Sequence, residues 1–398
     1  MMVPKLRFSE FNKGWQQKKT GDVFTIFSGF AFKSTDATTS GCRWLKIADV
    51  GCQVMTPGTP SFLPNHFRNE YHKFIIRKDD YVIALTRPIL NGKLKIAIAG
   101  KEYDGSLLNQ RVGKIVTKNN PKFVYSLLQM ESTVSQINNC IAGTDPPNLS
   151  TQDIKDMVVF VPIIEEQTKI ADFLSSVDEK IALLKKQYDL LCQYKKGMMQ
   201  KIFSQEVRFK DENGEEFPEW EAKQLSEIAI INPKNKVIPS KFIYIDLESV
   251  EKGMLLKEQL INKDDAPSRA QRLLVPGDVL FQLVRPYQKN NYIFLLDGDY
   301  VASTGYAQLR AKYNSLFLYQ LLHLESFTSE VMNRCTGTSY PAINSSDLAS
   351  IEVEIPCEKE QTKIANLLSA LDDKISVKKA ELDKLKTWKQ GLLQQMFV

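Results

Sequence analysis

Residues 165–203 read EEQTKIADFLSSVDEKIALLKKQYDLLCQYKKGMMQKIF, and residues 359–397 read KEQTKIANLLSALDDKISVKKAELDKLKTWKQGLLQQMF. At an offset of 194 the two stretches align without a gap, with 18 of 39 positions identical. Identity of that length marks an internal duplication, which organises the rest of the chain. Apolar residues recur at alternating intervals of three and four. One row in the first copy is Ile170, Val177, Leu184, Leu191 and Met198; the other is Leu174, Ile181, Tyr188, Lys195 and Ile202. The second copy gives Ile364, Leu371, Lys378, Leu385 and Leu392 beside Leu368, Ile375, Leu382, Lys389 and Met396. This spacing is a coiled-coil seam. Each copy follows a proline within a few residues and opens with acidic side chains, as a helix N-terminus favours. About 38 residues at ~1.5 Å each predict a rod of ~57 Å.

The same offset extends upstream. Gly143-Thr144 matches Gly337-Thr338, Pro147 matches Pro341, Asp153 matches Asp347, and Pro162 matches Pro356. A further echo sets Asp80 and Arg87-Pro88 against Asp278 and Arg285-Pro286; a weaker one sets Arg7-Phe8 and Trp15 against Arg208-Phe209 and Trp220. The order is therefore globular unit, long helix, globular unit, long helix, with boundaries at 1–164, 165–203, 204–358 and 359–398. The globular halves have diverged much further than the helices. In them Asp80–Leu85, Lys95–Ala99, Val279–Leu283 and Tyr292–Leu296 are short apolar runs between turn residues, which predicts strands. Ser150 and Asn344 stand three residues before acids, as helix caps do, and short strands over Met157–Val161 and Ile351–Ile355 lead into the long helices. The expected class is α+β, with two mixed α/β domains.

Composition sets the outer bounds. The chain has 398 residues, 43% hydrophobic and 25% charged, enough for two or more cores. None of the six cysteines forms a CxxC pair, so the expectation is reduced thiols in a cytoplasmic protein. No apolar run reaches the ~18 residues that span a bilayer, and the N-terminus has no apolar signal region. The net charge of +5 only hints at an anionic partner. Its distribution says more: residues 1–164 carry a net +8 and residues 204–357 a net −6, with eight acids between Glu206 and Glu227.

Catalytic signatures are missing. There is no G-x4-GK-[ST] phosphate loop, and His66, His72 and His323 fit no metal or triad spacing. Asp145-Pro146-Pro147-Asn148 resembles the Asp-Pro-Pro-aromatic motif of amino-methyltransferases, but asparagine replaces the aromatic. Its repeat partner, Ser339-Tyr340-Pro341-Ala342, has lost the motif. The stretch reads as a proline turn before a capped helix. No catalytic, cofactor-binding or metal-binding residue is expected in this chain.

The EQ-x-x-IA and D-x-K-I motifs, present twice, resemble the specificity subunit of type I restriction-modification systems (the HsdS family). They stand at Glu166-Gln167, Ile170-Ala171, Asp178 and Lys180-Ile181, and at Glu360-Gln361, Ile364-Ala365, Asp372 and Lys374-Ile375. The resemblance covers nearly the whole chain. It implies that each globular half is a target recognition domain reading one half of a bipartite, asymmetric site in double-stranded DNA. The helices would set the spacing and dock two methyltransferase subunits, which bind S-adenosylmethionine and methylate adenine. Separate motor-nuclease subunits would cleave unmodified DNA, leaving this chain non-catalytic.

The layout agrees with that implication. Each domain sits at the N-terminal end of its helix, so antiparallel pairing about a pseudo-twofold axis places the two readers at opposite ends of a rod. Such readers meet DNA about one helical turn or more apart, ~34–36 Å. In-register parallel pairing would set Lys195 against Lys389; antiparallel pairing with full overlap sets Lys195 near Leu367-Leu368 and Lys389 near Phe173-Leu174. Among base- or phosphate-contacting candidates, Arg43, Trp44 and Lys46 lie in an expected strand that could face DNA. Arg87 and Arg285 precede proline in both halves and suit phosphate positioning. Gln288, Lys289, Asn290 and Asn291 form a polar cluster suited to base edges or phosphates; for each, solvated surface or turn is the competing reading. A coiled-coil adaptor without a DNA role accounts for the rods but not for divergent domains on similar helices. A self-contained restriction-methylation enzyme would need the catalytic motifs that are missing.

Overall fold

The computed structural model describes residues 2–141, 145–234 and 237–398. Gly143-Thr144 lies outside them. The chain forms two compact units, residues 1–185 with 380–398, and residues 186–379. Each unit is therefore a globular domain, the N-terminal half of its own long helix, and the C-terminal portion of the other long helix. The helices span Ile164–Phe203 and Glu358–Met396, within one residue of the expected starts.

In the first unit a four-stranded antiparallel sheet runs in the order Phe24–Ser28, Val112–Thr117, Tyr81–Ala84, Ile96–Ile98. A smaller sheet joins Phe62–Leu63, Cys42–Leu45 and Leu107–Leu108, the last pair parallel. Gln16–Lys19 pairs with Val158–Val161, tying the start of the domain to the strand that feeds the long helix. The second unit repeats the plan. Its main sheet orders Ala229–Ile231, Tyr306–Ala311, Asp278–Gln282 and Tyr292–Ile293, and Glu221–Gln224 pairs with Glu352–Ile355. Its second sheet is larger, with Gln259–Asn262, Lys241–Ile245, Tyr300–Ser303 and Ala270–Leu273. The divergence between the halves is thus concentrated in this secondary sheet.

Three short helices follow the sheets in each unit, and sequence explains their limits. Asn120 and Asn314 cap the first, their side chains accepting from Phe123 N–H and Phe317 N–H. Ser150 and Asn344 cap the third as expected, accepting from Gln152 N–H and Asp347 N–H. Tyr292–Leu296 is shorter as a strand than the apolar run suggests, ending at Ile293.

The seam residues divide by position. Ile170, Leu174 and Val177 are buried in the first unit's core together with Leu392, Leu393, Met396 and Phe397. Ile202 is buried with Ile364, Ala365, Leu368 and Leu371 in the second. Leu382 is also buried, while Ile181, Leu184, Tyr188, Leu191, Ile375 and Leu385 are half-buried. Aromatic side chains fasten the C-terminal end of each long helix to the globular domain with which it shares a unit. Phe397 packs 5.9 Å from Trp15 and 5.1 Å from Phe123, centroid to centroid, and Phe203 lies 5.9 Å from Trp220 and 5.6 Å from Phe317. The second trio is the repeat image of the first. Rings of this size each bury ~150–250 Å².

Candidate nucleic-acid interface

Two of the strongest motif residues turn out to hold the fold. Glu166 is 1% exposed and accepts from Arg7 Nε at 2.8 Å, Arg7 Nη2 at 2.7 Å and Trp15 Nε1 at 3.2 Å. Glu360 is fully buried and accepts from Arg208 Nη2 at 2.9 Å and Trp220 Nε1 at 3.2 Å. The weak Arg-Phe and Trp echo is therefore the other half of the EQ motif. A buried carboxylate needs a charge partner, and Arg supplies it bidentately; the hydrogen bonds that Arg7 donates to Glu166 raise the pKa of its guanidinium above the ordinary value. The neighbouring amides do similar work: Gln167 Nε2 donates to Pro162 O and Gln361 Nε2 to Pro356 O, both at 3.0 Å.

The Arg-Pro turns are duplicated in conformation as well as sequence. Arg87 and Arg285 have φ of 47° and 53°, the left-handed region that costs a non-glycine residue about 1–2 kcal/mol. Their N–H groups donate to Pro147 O and Pro341 O, each at 2.7 Å. Asn148 Oδ1 accepts from Thr86 Oγ1 at 2.7 Å. Asp145-Pro146-Pro147-Asn148 thus buttresses the Arg87 turn. Arg87 is exposed, whereas the Arg285 guanidinium lies 4.2 Å above the Tyr340 ring. Strain retained at matching positions in two diverged domains points to a functional constraint.

The other candidates are placed unevenly. Arg43 and Trp44 are in a strand as expected, but Trp44 is 5% exposed and packs in the core with Phe32. Arg43 lies over the Tyr103 ring at 4.0 Å with Asp49 at 3.5 Å, and Lys46 Nζ sits 4.0 Å above Trp44. The polar cluster of the second unit is knitted inward. Gln282 Nε2 donates to Gln288 Oε1, Gln282 N–H donates to Asn291 Oδ1, and Asn290 N–H donates to Gln282 Oε1. Lys289 Nζ donates to His323 O at 3.0 Å and pairs with Glu325 at 3.1 Å.

Beside the Arg87 turn the first unit opens a cleft of about 400 Å³, lined by Leu85, Thr86, Gln110, Arg111, Pro146, Asn148 and Leu149. Gln110 and Arg111 are exposed, and sequence reasoning passed over them. Their backbone is pinned: Gln110 N–H donates to Phe30 O, Arg111 N–H to Asn109 Oδ1, and Leu85 N–H to Arg111 O at 2.8 Å. The signal that locates them is the offset of 194, which pairs them with Thr304 and Gly305. There Leu283 N–H donates to Gly305 O at 3.0 Å, the same link in the second unit.

Among the described residues no group of three or more His, Cys, Asp or Glu side chains is placed to hold a metal. Nor, among these residues, is any helix long and apolar enough to cross a membrane.

A duplicated α/β frame, each copy closed by a long helix and each presenting different side chains at matching turns, defines a two-module binding scaffold. The chain belongs to the family of type I restriction modification DNA specificity domains, whose model matches residues 12–193 and 217–387. It is 31% identical over 212 residues to the type I restriction enzyme MjaVIII specificity subunit of Methanocaldococcus jannaschii, covering 52% of this chain and 50% of that protein. It is 31% identical over 177 residues to the EcoAI specificity subunit of Escherichia coli, covering 43% and 29%. These matches therefore span half or less of both relatives. The S subunit of the type I restriction-modification system from M. genitalium shares the fold, with a TM-score of 0.65 at 18% identity over 100% of this chain and 99% of that one.

Proposed function

We propose that the chain is the sequence-recognition subunit of a type I restriction-modification complex, with no catalytic site of its own. Each globular domain reads one half of a bipartite, asymmetric site in duplex DNA. The long helices pair antiparallel, set the spacing between half-sites and dock two methyltransferase subunits. S-adenosylmethionine binds to those subunits, cleavage belongs to motor-nuclease subunits, and the complex works in the cytoplasm.

The observation that carries this reading is one frame used twice with different chemistry on it. The matched Arg87 and Arg285 turns keep their strained backbone, while the adjoining positions change from Gln110-Arg111 to Thr304-Gly305. Two readers of unlike half-sites need that combination; a passive adaptor does not. Antiparallel pairing is supported from inside each unit. In the first, Lys389 pairs with Asp178 and Trp388 packs on Phe173; in the second, Lys195 pairs with Asp372. The net −6 of residues 204–357 means that phosphate contacts there rely on local basic groups or on partner subunits. The test is binding and methyl transfer on a pool of random duplexes, by the chain alone and with its methyltransferase partners. Sequence-selective modification only with partners is expected; methyl transfer by the isolated chain would overturn the non-catalytic assignment.

A further inference from the structure

We infer that the first unit's cleft is its base-reading site, with Gln110 and Arg111 as specificity-determining residues; this rests on the DNA-recognition reading above. Three observations converge on it. First, the cleft is open, and four of its seven lining residues are polar: Thr86, Gln110, Arg111 and Asn148. Among the described residues neither the Gln110 nor the Arg111 side chain is engaged in a hydrogen bond or ion pair, so their donors and acceptors face solvent. Polar side chains whose role is to hold the fold are engaged within it, as Glu166 and Gln282 are.

Second, the backbone under these two side chains is fixed while the side chains are free. Hydrogen bonds from Gln110 N–H, Arg111 N–H and Leu85 N–H clamp the turn on both sides. A reader needs this rigidity, because discrimination between bases depends on donor positions held before binding. The chemistry also fits. Arg presents a fork that matches guanine O6 and N7, and Gln offers one donor and one acceptor to adenine N6 and N7. Arg87, exposed on the adjoining strained turn, suits the neighbouring phosphate.

Third, the second unit keeps the frame and changes the letters. Leu283 N–H to Gly305 O repeats Leu85 N–H to Arg111 O, and Arg285 N–H to Pro341 O repeats Arg87 N–H to Pro147 O. At the position of Arg111 it carries glycine, which can read nothing by side chain. The same site in the second unit presents Thr304, with Tyr340, 65% exposed, against Arg285. The matching turns of the two units therefore present different chemistry to DNA.

The experiment uses the chain assembled with its methyltransferase subunits, a pool of random-sequence duplexes and S-adenosylmethionine, and reads the modified sites by sequencing. Arg111→Ala and Gln110→Ala should each relax the preference at one or two positions of the first half-site, by about tenfold or more per position, and leave the second half-site unchanged. If Arg111→Ala abolishes modification, Arg111→Lys decides: it keeps the charge and loses the fork. Relaxed choice in the first half-site supports the assignment, and an unaltered first half-site with Gln110→Ala and Arg111→Lys overturns it. A wild-type complex with no sequence preference would overturn the DNA-recognition reading itself, and the assignment with it.

Discussion

Lys195 Nζ lies 2.6 Å from Asp372 Oδ1 and 2.7 Å from Oδ2, an ion pair in the apolar seam of the second unit. In the first unit Lys389 Nζ lies 2.7 Å from Asp178 Oδ1, with Gln129 Oε1 at 3.2 Å. An offset of 194 carries Asp178 to Asp372 and Lys195 to Lys389, so each pair is the image of the other with the helices exchanged. Each lysine lies at a seam position, where its stem covers apolar surface and its ammonium reaches the carboxylate. The aspartates are those of the D-x-K-I motif, whose repetition this pairing explains.

A double-mutant cycle on Asp178→Asn and Lys389→Met measures what the pair contributes. Lys389 is 8% and Asp178 42% exposed by side chain, so solvent screens part of the attraction. We expect a coupling of about 1 kcal/mol in denaturant unfolding. Additive single-mutant effects would contradict an energetic role for the pair.

Glu166→Ala should be among the most damaging single changes in the first unit, at about 3–5 kcal/mol, because it strands the Arg7 guanidinium and Trp15 N–H that converge on Glu166. Glu360→Ala should do the same to Arg208 and Trp220. The exposed Glu179, changed to Ala, should stay within about 0.5 kcal/mol of wild type. Thermal unfolding of the three variants distinguishes them, and equal midpoints for Glu166→Ala and Glu179→Ala would contradict the clamp.

Burial pushes His323 down to about 4 from an ordinary 6.5, although its Nδ1 faces Tyr319 O and Asp372 is nearby; Lys195 and Lys289 add to the depression. Between those values the unfolded chain binds a proton that the folded chain does not. Stability should therefore fall as pH drops from 6.5 to about 4, then stop responding to this group. His323→Gln should flatten that limb relative to wild type. Parallel limbs in urea titrations across the window would show that the histidine is not held neutral.

The long helices were legible in the sequence almost to the residue, because a seam of fixed period over many turns is a strong signal. The main-sheet strands were legible at Tyr81–Ala84 and Asp278–Gln282, where continuous apolar runs fill buried strands. The interface was less so. Sequence leaves Trp44 free to face DNA, but alternation alone does not say which face of a strand is buried, and the core around Phe32 and Tyr71 claims it. Gln288 to Asn291 read as a free polar cluster because nothing local reveals that Gln282 reaches them. Gln110 and Arg111 lie in a short turn with no periodicity, and the offset of 194 singles them out only once it is read beside the matching backbone links of the two folded halves.

Exchange of the first module, Phe24–Ile164, for that of a homologue with different specificity is the most direct test, read by mapping methylated sites in DNA modified by the assembled complex. The account predicts a new first half-site with the second half-site unchanged, and the reciprocal result for exchange of Leu225–Pro356. A change in both halves of the methylated sequence after either single exchange would contradict modular reading by two independent domains.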